Sequence, residues 1–548
     1  VHAPPGLRGE FRTDDVARAL YAEGAGIFRI IPQAVAVPAD REDLALLLRW
    51  ALADRVALVP RGAGSGMPGG NVGPGLVVDL TRACLDPPAI HPERRTARCG
   101  AAVTYRDLNA AAQPFGLHLP PDPSSGAFCT VGGMVATNAA GAHSVKYGAM
   151  RSWVRGLEFL TAEGEAGRTE HGATGDAATW GRGTTAAEER FLRDVAPAIR
   201  ERAGDLAAAG PRTTKNSSGY ALGAWAASGH LADLLTGSEG TLAVVTTVEV
   251  ALAPLPARRT TLLVTLRSLD DAALAVLALR PTAPAAVELL DRTYLDFVRG
   301  AVRRQLPDGT EAVLLVEFEG DARAGAAAVS GLADTTELAD DAASVSRLWE
   351  LRHLASPILA GLPDNLRSLQ LIEDGCVPIE RLGGYIASLR TAAADDGFQI
   401  VIFGHAGDGH LHANLLADVS GRDLGRRLAS CLERVTALQL SLGGTPAGEH
   451  GDGRLRAPFL ARTFGPEYAE LCRRTKAAWD PAGILNPGVK IPAAGETAAV
   501  DEASLKVGVG APPLPRGIGE RLRQVERTAA WGQFKLDLAL PTAPAARR

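Results

Sequence analysis

The sequence predicts an α+β protein built from more than one domain. A chain of 548 residues is too long for a single hydrophobic core. Strand-length apolar runs and helical stretches follow one another along it, and a glycine-dense loop separates two of the strands.

In chain order, residues 40–54 read as a helix. Asp40 is a suitable N-cap, Glu42 and Asp43 place acid in the first turn, and apolar residues recur at helical spacing. Val56 to Pro60 reads as a short buried strand and Leu76 to Leu80 as another. Between them lies the loop Arg61-Gly62-Ala63-Gly64-Ser65-Gly66-Met67-Pro68-Gly69-Gly70. A second loop, Pro120 to Ser125, runs into Thr130-Val131-Gly132-Gly133 and Asn138-Ala139-Ala140-Gly141. Residues 237–252 read as a tight turn, Gly237-Ser238-Glu239-Gly240-Thr241, feeding a β-branched strand.

Pro254 and Pro256 close that region, and the texture changes. From residue 257 onward, strand-like runs (Thr261 to Leu266, Ala312 to Phe318) alternate with Ala-rich helical stretches such as 322–333, which suits a separate domain. Ile400 to Phe403 reads as a strand delivering His405. Residues 423–442 read as an amphipathic helix stopped by Gly443-Gly444. The segment 493–548, with Pro512-Pro513-Leu514-Pro515 and a helical stretch from Arg516 to Lys535, reads as a peripheral extension.

Composition removes several functions. A net charge of −5 and a pI near 6.2 exclude a nucleic-acid partner, which requires a basic stripe. The six cysteines are scattered with no C-x-x-C pair, so a Cys-ligated iron–sulfur cluster or zinc ribbon within the chain is excluded; buried reduced thiols are expected. No stretch approaches ~18 uninterrupted apolar residues and no charged-then-apolar leader is present. The expected location is the cytoplasm, with attachment to the inner face of the membrane compatible. Val1 as first residue leaves the natural start open.

Two stretches carry chemistry. Gly404-His405-Ala406-Gly407-Asp408-Gly409-His410-Leu411-His412 and Gly448-Glu449-His450-Gly451 hold four of the eleven histidines. Imidazole and carboxylate are what a divalent metal and a general base both require; chance clustering is the plain alternative.

Gly64, Gly66 and Gly69 satisfy G-x-G-x-x-G, yet the context contradicts a Rossmann site, because that fingerprint must open a helix. Pro68, Gly69, Gly70, Gly73, Pro74 and Gly75 permit none, and no Gly-Lys-Ser/Thr of a Walker loop follows. What remains is a strand–loop–strand whose N–H groups can form an anion nest suited to a diphosphate, or else a plain glycine-rich turn.

Taken together, these segments resemble the vanillyl-alcohol oxidase superfamily of FAD-linked flavoproteins. Within it they look like the branch containing D-lactate dehydrogenase, D-2-hydroxyglutarate dehydrogenase and the glycolate oxidase FAD subunit. The likeness spans roughly residues 25–492 and includes Asn486-Pro487-Gly488. It implies a two-part FAD-binding domain over 1–255 and an α+β substrate (cap) domain with a mostly antiparallel sheet over 256–442. A segment returning to the flavin site over 443–492 would follow, then the extension 493–548. The tail also resembles the linker of longer fused members that carry an iron–sulfur domain.

The resemblance further implies site roles. Arg61, Gly62, Ala63, Gly64, Ser65 and Gly66 would wrap the FAD diphosphate. Pro121, Asp122, Ser124, Ser125, Thr130, Gly132, Gly133, Asn138, Glu239, Gly240, Thr241 and Asn486 would complete the cofactor site. Covalently flavinylated relatives carry a His in this loop; Ser65 stands here, so non-covalent FAD is expected. His405, His412 and Glu449 would bind a divalent metal such as zinc or manganese, His450 would be the base, and Asn414 would lie beside the substrate. Arg352 would grip the substrate carboxylate, with Arg367 a second candidate. His410 is expected behind the ligands or at the surface, with a role as an extra ligand the alternative. Ile372-Glu373-Asp374 lacks the lysine that 2-hydroxyglutarate relatives carry before the aspartate, and Met134 replaces a frequent Asn.

The implied activity is oxidation of a D-lactate-like 2-hydroxy acid to the 2-oxo acid by hydride transfer to flavin. Electrons would pass to an external acceptor: an iron–sulfur protein or subunit, a quinone or a cytochrome. A homodimer is a compatible assembly. The competing readings are a flavin-free metallohydrolase, a non-catalytic flavoprotein subunit of a larger complex, and alkyl transfer on the same fold.

Overall fold

The computed structural model describes residues 1–170, 184–301, 306–493 and 500–539. The N-terminal half holds two sheets. In the first, Glu10–Arg12, Ala34–Val37, Leu76–Asp79 and Leu58–Arg61 lie side by side, the last three mutually parallel. Strands covered on both faces read as continuous apolar runs, which is why Leu76-Val77-Val78 was legible. The helix Arg41–Ala53 begins where expected, with Asp40 accepting from the Glu42 and Asp43 amides, and it buries Leu44, Leu47, Leu48 and Ala51. The second sheet orders Ala89–His91, Thr96–Gly100, Val244–Ala251, Val154–Leu160 and Ala166–Glu170, all antiparallel.

The segment that the Pro120 to Ser125 loop runs into, for which the sequence suggested no element, is a short helix, Val131–Thr137. Thr130 caps it by accepting the Gly133 amide, and Asn138 ends it in the left-handed region at φ 54°. Two glycines in its first turn hid it, since glycine costs helix stability.

The C-terminal half is built on one antiparallel sheet. Its path runs Thr335–Ala339, Thr260–Leu266, Ala312–Phe318, Ala286–Asp291, Gln399–His405, His410–Asp418 and Leu366–Leu369. Alternation sends Leu262, Val264 and Leu266 into a core shared with the helices Leu269–Leu279, Leu382–Asp395 and Leu424–Ser441. Leu263, Val313 and Leu315 face the opposite way, onto Tyr294 and Leu351. The mixed α and β architecture with a mostly antiparallel cap sheet is the expected one.

After the cap, the chain packs back on the N-terminal half: Pro466–Trp479 shares a core with Phe159, Phe191 and Trp225. The tail departs from a peripheral position. Ile518, Leu522 and Leu536 are buried with Leu20, Tyr21, Val35, Val59 and Val77. Its helix is shorter than the expected 516–535. It ends at Arg527, with Ala529 at φ 50° just beyond. Among the described residues no helix is long and apolar enough to cross a membrane, and all six cysteines are free and buried.

Candidate functional site

The hairpin formed by Gln399–His405 and His410–Asp418 brings His405 and His412 to one end of the cap sheet, and the chain's return after residue 443 adds Glu449. Gly404, at φ 155°, is packed against the backbone of His410 to His412, where a Cβ would stand 2.6 Å from the His410 carbonyl oxygen. His405 Nε2 and His412 Nε2 are 3.2 Å apart, and Glu449 Oε1 lies 3.4 Å from the first and 3.6 Å from the second. Zinc bound at about 2.0–2.2 Å in tetrahedral geometry separates its ligands by about 3.4 Å, so the three atoms fit one cation.

The tautomers agree. His405 Nδ1 is 2.5 Å from Glu288 Oε1 and His412 Nδ1 is 2.9 Å from the Glu373 carbonyl oxygen, which assigns both protons to Nδ1. Two Nε2 lone pairs and a carboxylate then face one point. Burial and the neighbouring imidazoles hold His412 well below the usual imidazole range.

His410 belongs to the same buried cluster, its ligand atom lying with those of His405, His412 and Glu449 within 4.8 Å of one another, but its ring nitrogens face other partners. Nδ1 lies 3.4 Å from Lys215 Nζ and Nε2 lies 3.0 Å from Asp374 Oδ1, so both nitrogens are engaged although the ring is fully buried. Lys215 also donates to Glu449 Oε2 at 2.7 Å, leaving Oε1 for the histidine side.

His450 is anchored by Glu373 Oε1, 3.1 Å from its Nδ1, and its Nε2 is 3.6 Å from Glu449 Oε1. Burial opposes its charge, but Asp374, Glu373 and Glu449 outweigh that and raise its pKa to about 9. Asp374 accepts the backbone amides of Glu449 (2.9 Å) and His450 (3.1 Å), and Arg456 neutralises Glu373 and Asp374 together. One carboxylate, Asp374, thus sets the backbone that carries both Glu449 and His450.

Arg352, at the end of helix Ala342–His353, donates Nε to Glu288 Oε2 at 2.6 Å and lies over the Phe403 ring at 4.4 Å. It lines a cavity of about 270 Å³ with Asn414, His412, His450 and Phe403. Arg367 lines it too, paired with Glu526 of the tail at 2.9 Å, and Trp531 closes one side.

A second cavity is lined by Arg61 to Gly66, Ser124, Ser125, Thr130, Gly132, Gly133, Glu239, Gly240, Glu449 and His450. Met67, Ser124 and His450 line both cavities, so the two meet at His450. The loop's glycines serve its own packing as well as close approach. Gly64 sits at φ 79° with the Arg61 guanidinium behind it, and that guanidinium donates to the Tyr21, Glu23 and Asn71 carbonyls. The backbone-lined wall fits a diphosphate; the Arg61 side chain braces the loop and is not directed at a ligand.

Five residues expected at the cofactor lie outside the lining. Pro121 and Asp122 are absent from it, and Asp122 spends its carboxylate on His143. Asn138 caps a helix and accepts the Arg151 amide; Thr241 Oγ1 donates to the Ser238 carbonyl. Asn486 ties the Gly70 and Glu239 carbonyls together. Glu239, though in the wall, uses its carboxylate to hold the amides of Asp452 and Gly453. Sequence reasoning missed Glu288, Lys215 and Arg456 altogether. Each stands far from its partner in the chain and no local motif marks it.

Comparison with known proteins now bears on this geometry. Residues 32–170 match the family described as FAD binding domain, and residues 255–489 match FAD linked oxidases, C-terminal domain. The chain is 29% identical over 490 residues to glycolate oxidase subunit GlcD of Bacillus subtilis, covering 87% of this chain and 93% of that one. It is 31% identical over 458 residues to D-lactate dehydrogenase of Archaeoglobus fulgidus, covering 83% and 90%. Against D-2-hydroxyglutarate dehydrogenase of Pseudomonas putida it is 31% identical over 517 residues, covering 88% of this chain but spanning about half (50%) of that longer relative. Among solved structures, alkyldihydroxyacetonephosphate synthase aligns with a TM-score of 0.56 at 16% identity, covering 87% of this chain and 82% of that one. The 6-hydroxy-D-nicotine oxidase of Arthrobacter nicotinovorans aligns with a TM-score of 0.56 at 18% identity, covering 88% and 98%. These two likenesses speak to the fold alone.

Proposed function

This chain belongs to the FAD-linked oxidases, and from that premise we propose that it oxidises a D-lactate-like 2-hydroxy acid to the 2-oxo acid. The observation that carries the proposal is His450, placed where the cavity of the glycine loop meets the cavity of Arg352. A reaction that removes a hydroxyl proton and a C2 hydride from one substrate needs base and electron acceptor on adjoining walls.

Arg352 takes the substrate carboxylate with its two terminal nitrogens, because Nε is already committed to Glu288. Asn414 borders the same space and bonds to the substrate's polar end. His405, His412 and Glu449 hold a divalent metal, which when bound supplies a positive charge that lowers the hydroxyl pKa. With such a metal bound, its charge would oppose the pull of the carboxylates around His450, whose Nε2 would accept the hydroxyl proton while Glu373 steadies Nδ1. Non-covalently held FAD supplies the two-electron acceptor for the C2 hydrogen leaving as hydride. The electrons would leave to an external iron–sulfur protein, quinone or cytochrome. The flavin-free hydrolase reading is set aside by the match to an FAD-binding domain.

The test is an anaerobic screen of D- and L-2-hydroxy acids for bleaching of the bound flavin, with and without chelator. One enantiomer of a small 2-hydroxy acid should bleach it, chelator should slow this, and His450→Gln should leave the protein yellow but slow reduction about 10²–10⁴-fold. Absence of bleaching by every acid would point to a flavin-carrying subunit without dehydrogenase activity.

A further inference from the structure

The tail carries a buried charge without a hydrogen-bond partner. Lys535 is 3% exposed, and among the described residues its Nζ meets no acceptor; it lies only over the Trp531 ring at 5.1 Å. Asp79 lines the same cavity as Lys535 but does not reach Nζ within hydrogen-bond distance, so the buried amine keeps unused donors for a further acceptor. The neighbourhood agrees: burial and the Arg61 guanidinium push the Lys535 pKa down to about 7, with Asp79 opposing them.

The position is not the accident of a loose terminus. Leu536 is buried with Tyr21, Val59 and Val77, the Arg82 guanidinium lies 3.6 Å from the Phe534 ring centroid, and Gly532 packs on Phe128. Lys535 lines a cavity of about 470 Å³ with Asp79, Arg82 and Trp531. Gly62, Ala63, Ala102 and Thr130 line both this cavity and that of the glycine loop. The two spaces adjoin at the backbone suited to a diphosphate.

We propose that Lys535 is the counter-charge of the FAD diphosphate, and that residues 531–535 form the outer wall of the cofactor site. The inference rests on the flavoprotein reading. It turns the tail from an appendage into part of the site, because the loop itself offers only N–H dipoles and the Arg61 guanidinium is spent on carbonyls.

FAD is titrated into the full-length apo-protein, followed by flavin fluorescence, for wild type, Lys535→Met and Lys535→Arg; melting of each apo-protein is recorded alongside. Lys535→Met keeps the apolar stem and removes the charge. It should weaken FAD binding about 10–100-fold while the apo-protein melts no lower than wild type. Lys535→Arg should restore most of the affinity. The assignment is overturned if Lys535→Met binds FAD within about twofold of wild type, or if Lys535→Arg is as weak as Lys535→Met. A wild-type chain that binds no FAD would instead overturn the flavoprotein reading, and this assignment with it.

Discussion

Glu288 Oε1 lies 2.5 Å from His405 Nδ1, and the same carboxylate takes Arg352 Nε on its other oxygen at 2.6 Å. One fully buried side chain therefore orients together the proposed metal ligand His405 and Arg352, the proposed holder of the substrate carboxylate. Burial alone would favour its neutral form, but His405 and Arg352 hold it far below the usual carboxylate range. Glu288→Gln turns an amide N–H₂ toward one of two donors. Metal affinity should fall about 10–100-fold, read by chelator competition, and KM should rise with it. Unchanged metal affinity would show that His405 needs no such support.

Arg352 offers a simpler test. Lysine keeps the charge and loses the paired donors and the contact over Phe403. Arg352→Lys should raise KM for the hydroxy acid about 10–100-fold with a smaller effect on kcat, in steady-state assays with an artificial electron acceptor. An unaltered KM would remove Arg352 from the substrate.

Gly448 is required by packing against the histidine cluster. A Cβ there would stand 2.7 Å from His410 Cδ2 and 2.8 Å from Nε2, and the ring is fixed between Lys215 and Asp374. Gly448→Ala should destabilise the chain by about 1–3 kcal/mol and displace Glu449. Denaturant unfolding reads the first effect and metal titration the second. A variant as stable as wild type with full metal binding would mean that the ring moves freely.

Much of this was legible because it is local. Asp40 announces a helix by chemistry within three residues, and Val77-Val78 announces a covered strand by apolarity alone. His405 and His412 are brought together by a tight hairpin, so spacing in the sequence translates into distance. Glu288 and Lys215 were illegible for the opposite reason. They reach His405 and Glu449 across 117 and 234 residues, and nothing in their own neighbourhoods distinguishes a buried anchor from a surface charge. The tail misled because a proline-rich entry into a polar helix resembles a linker, while the anchoring residues Leu522 and Leu536 are isolated apolar positions.

His143 spans the junction between the two halves. His143 Nδ1 is 2.6 Å from Asp122 Oδ2 beside the flavin-half loop, and Nε2 is 2.9 Å from Glu317 Oε1 on the cap strand Ala312–Phe318. Burial alone would lower its pKa, but the two carboxylates outweigh that and raise it to about 10. An unfolded imidazole titrates near ~6.5, so between these values the folded chain holds a proton that the unfolded chain has released. The stabilisation is complete below pH ~6.5 and is lost as pH rises through about 10. His143→Gln should therefore lower Tm most at mildly acidic pH, and the gap from wild type should shrink steadily toward alkaline pH. Melting curves of the apo-protein across that range decide it. A gap that stays constant with pH would mean that His143 joins the halves by shape and neutral hydrogen bonds, with no contribution from its charge.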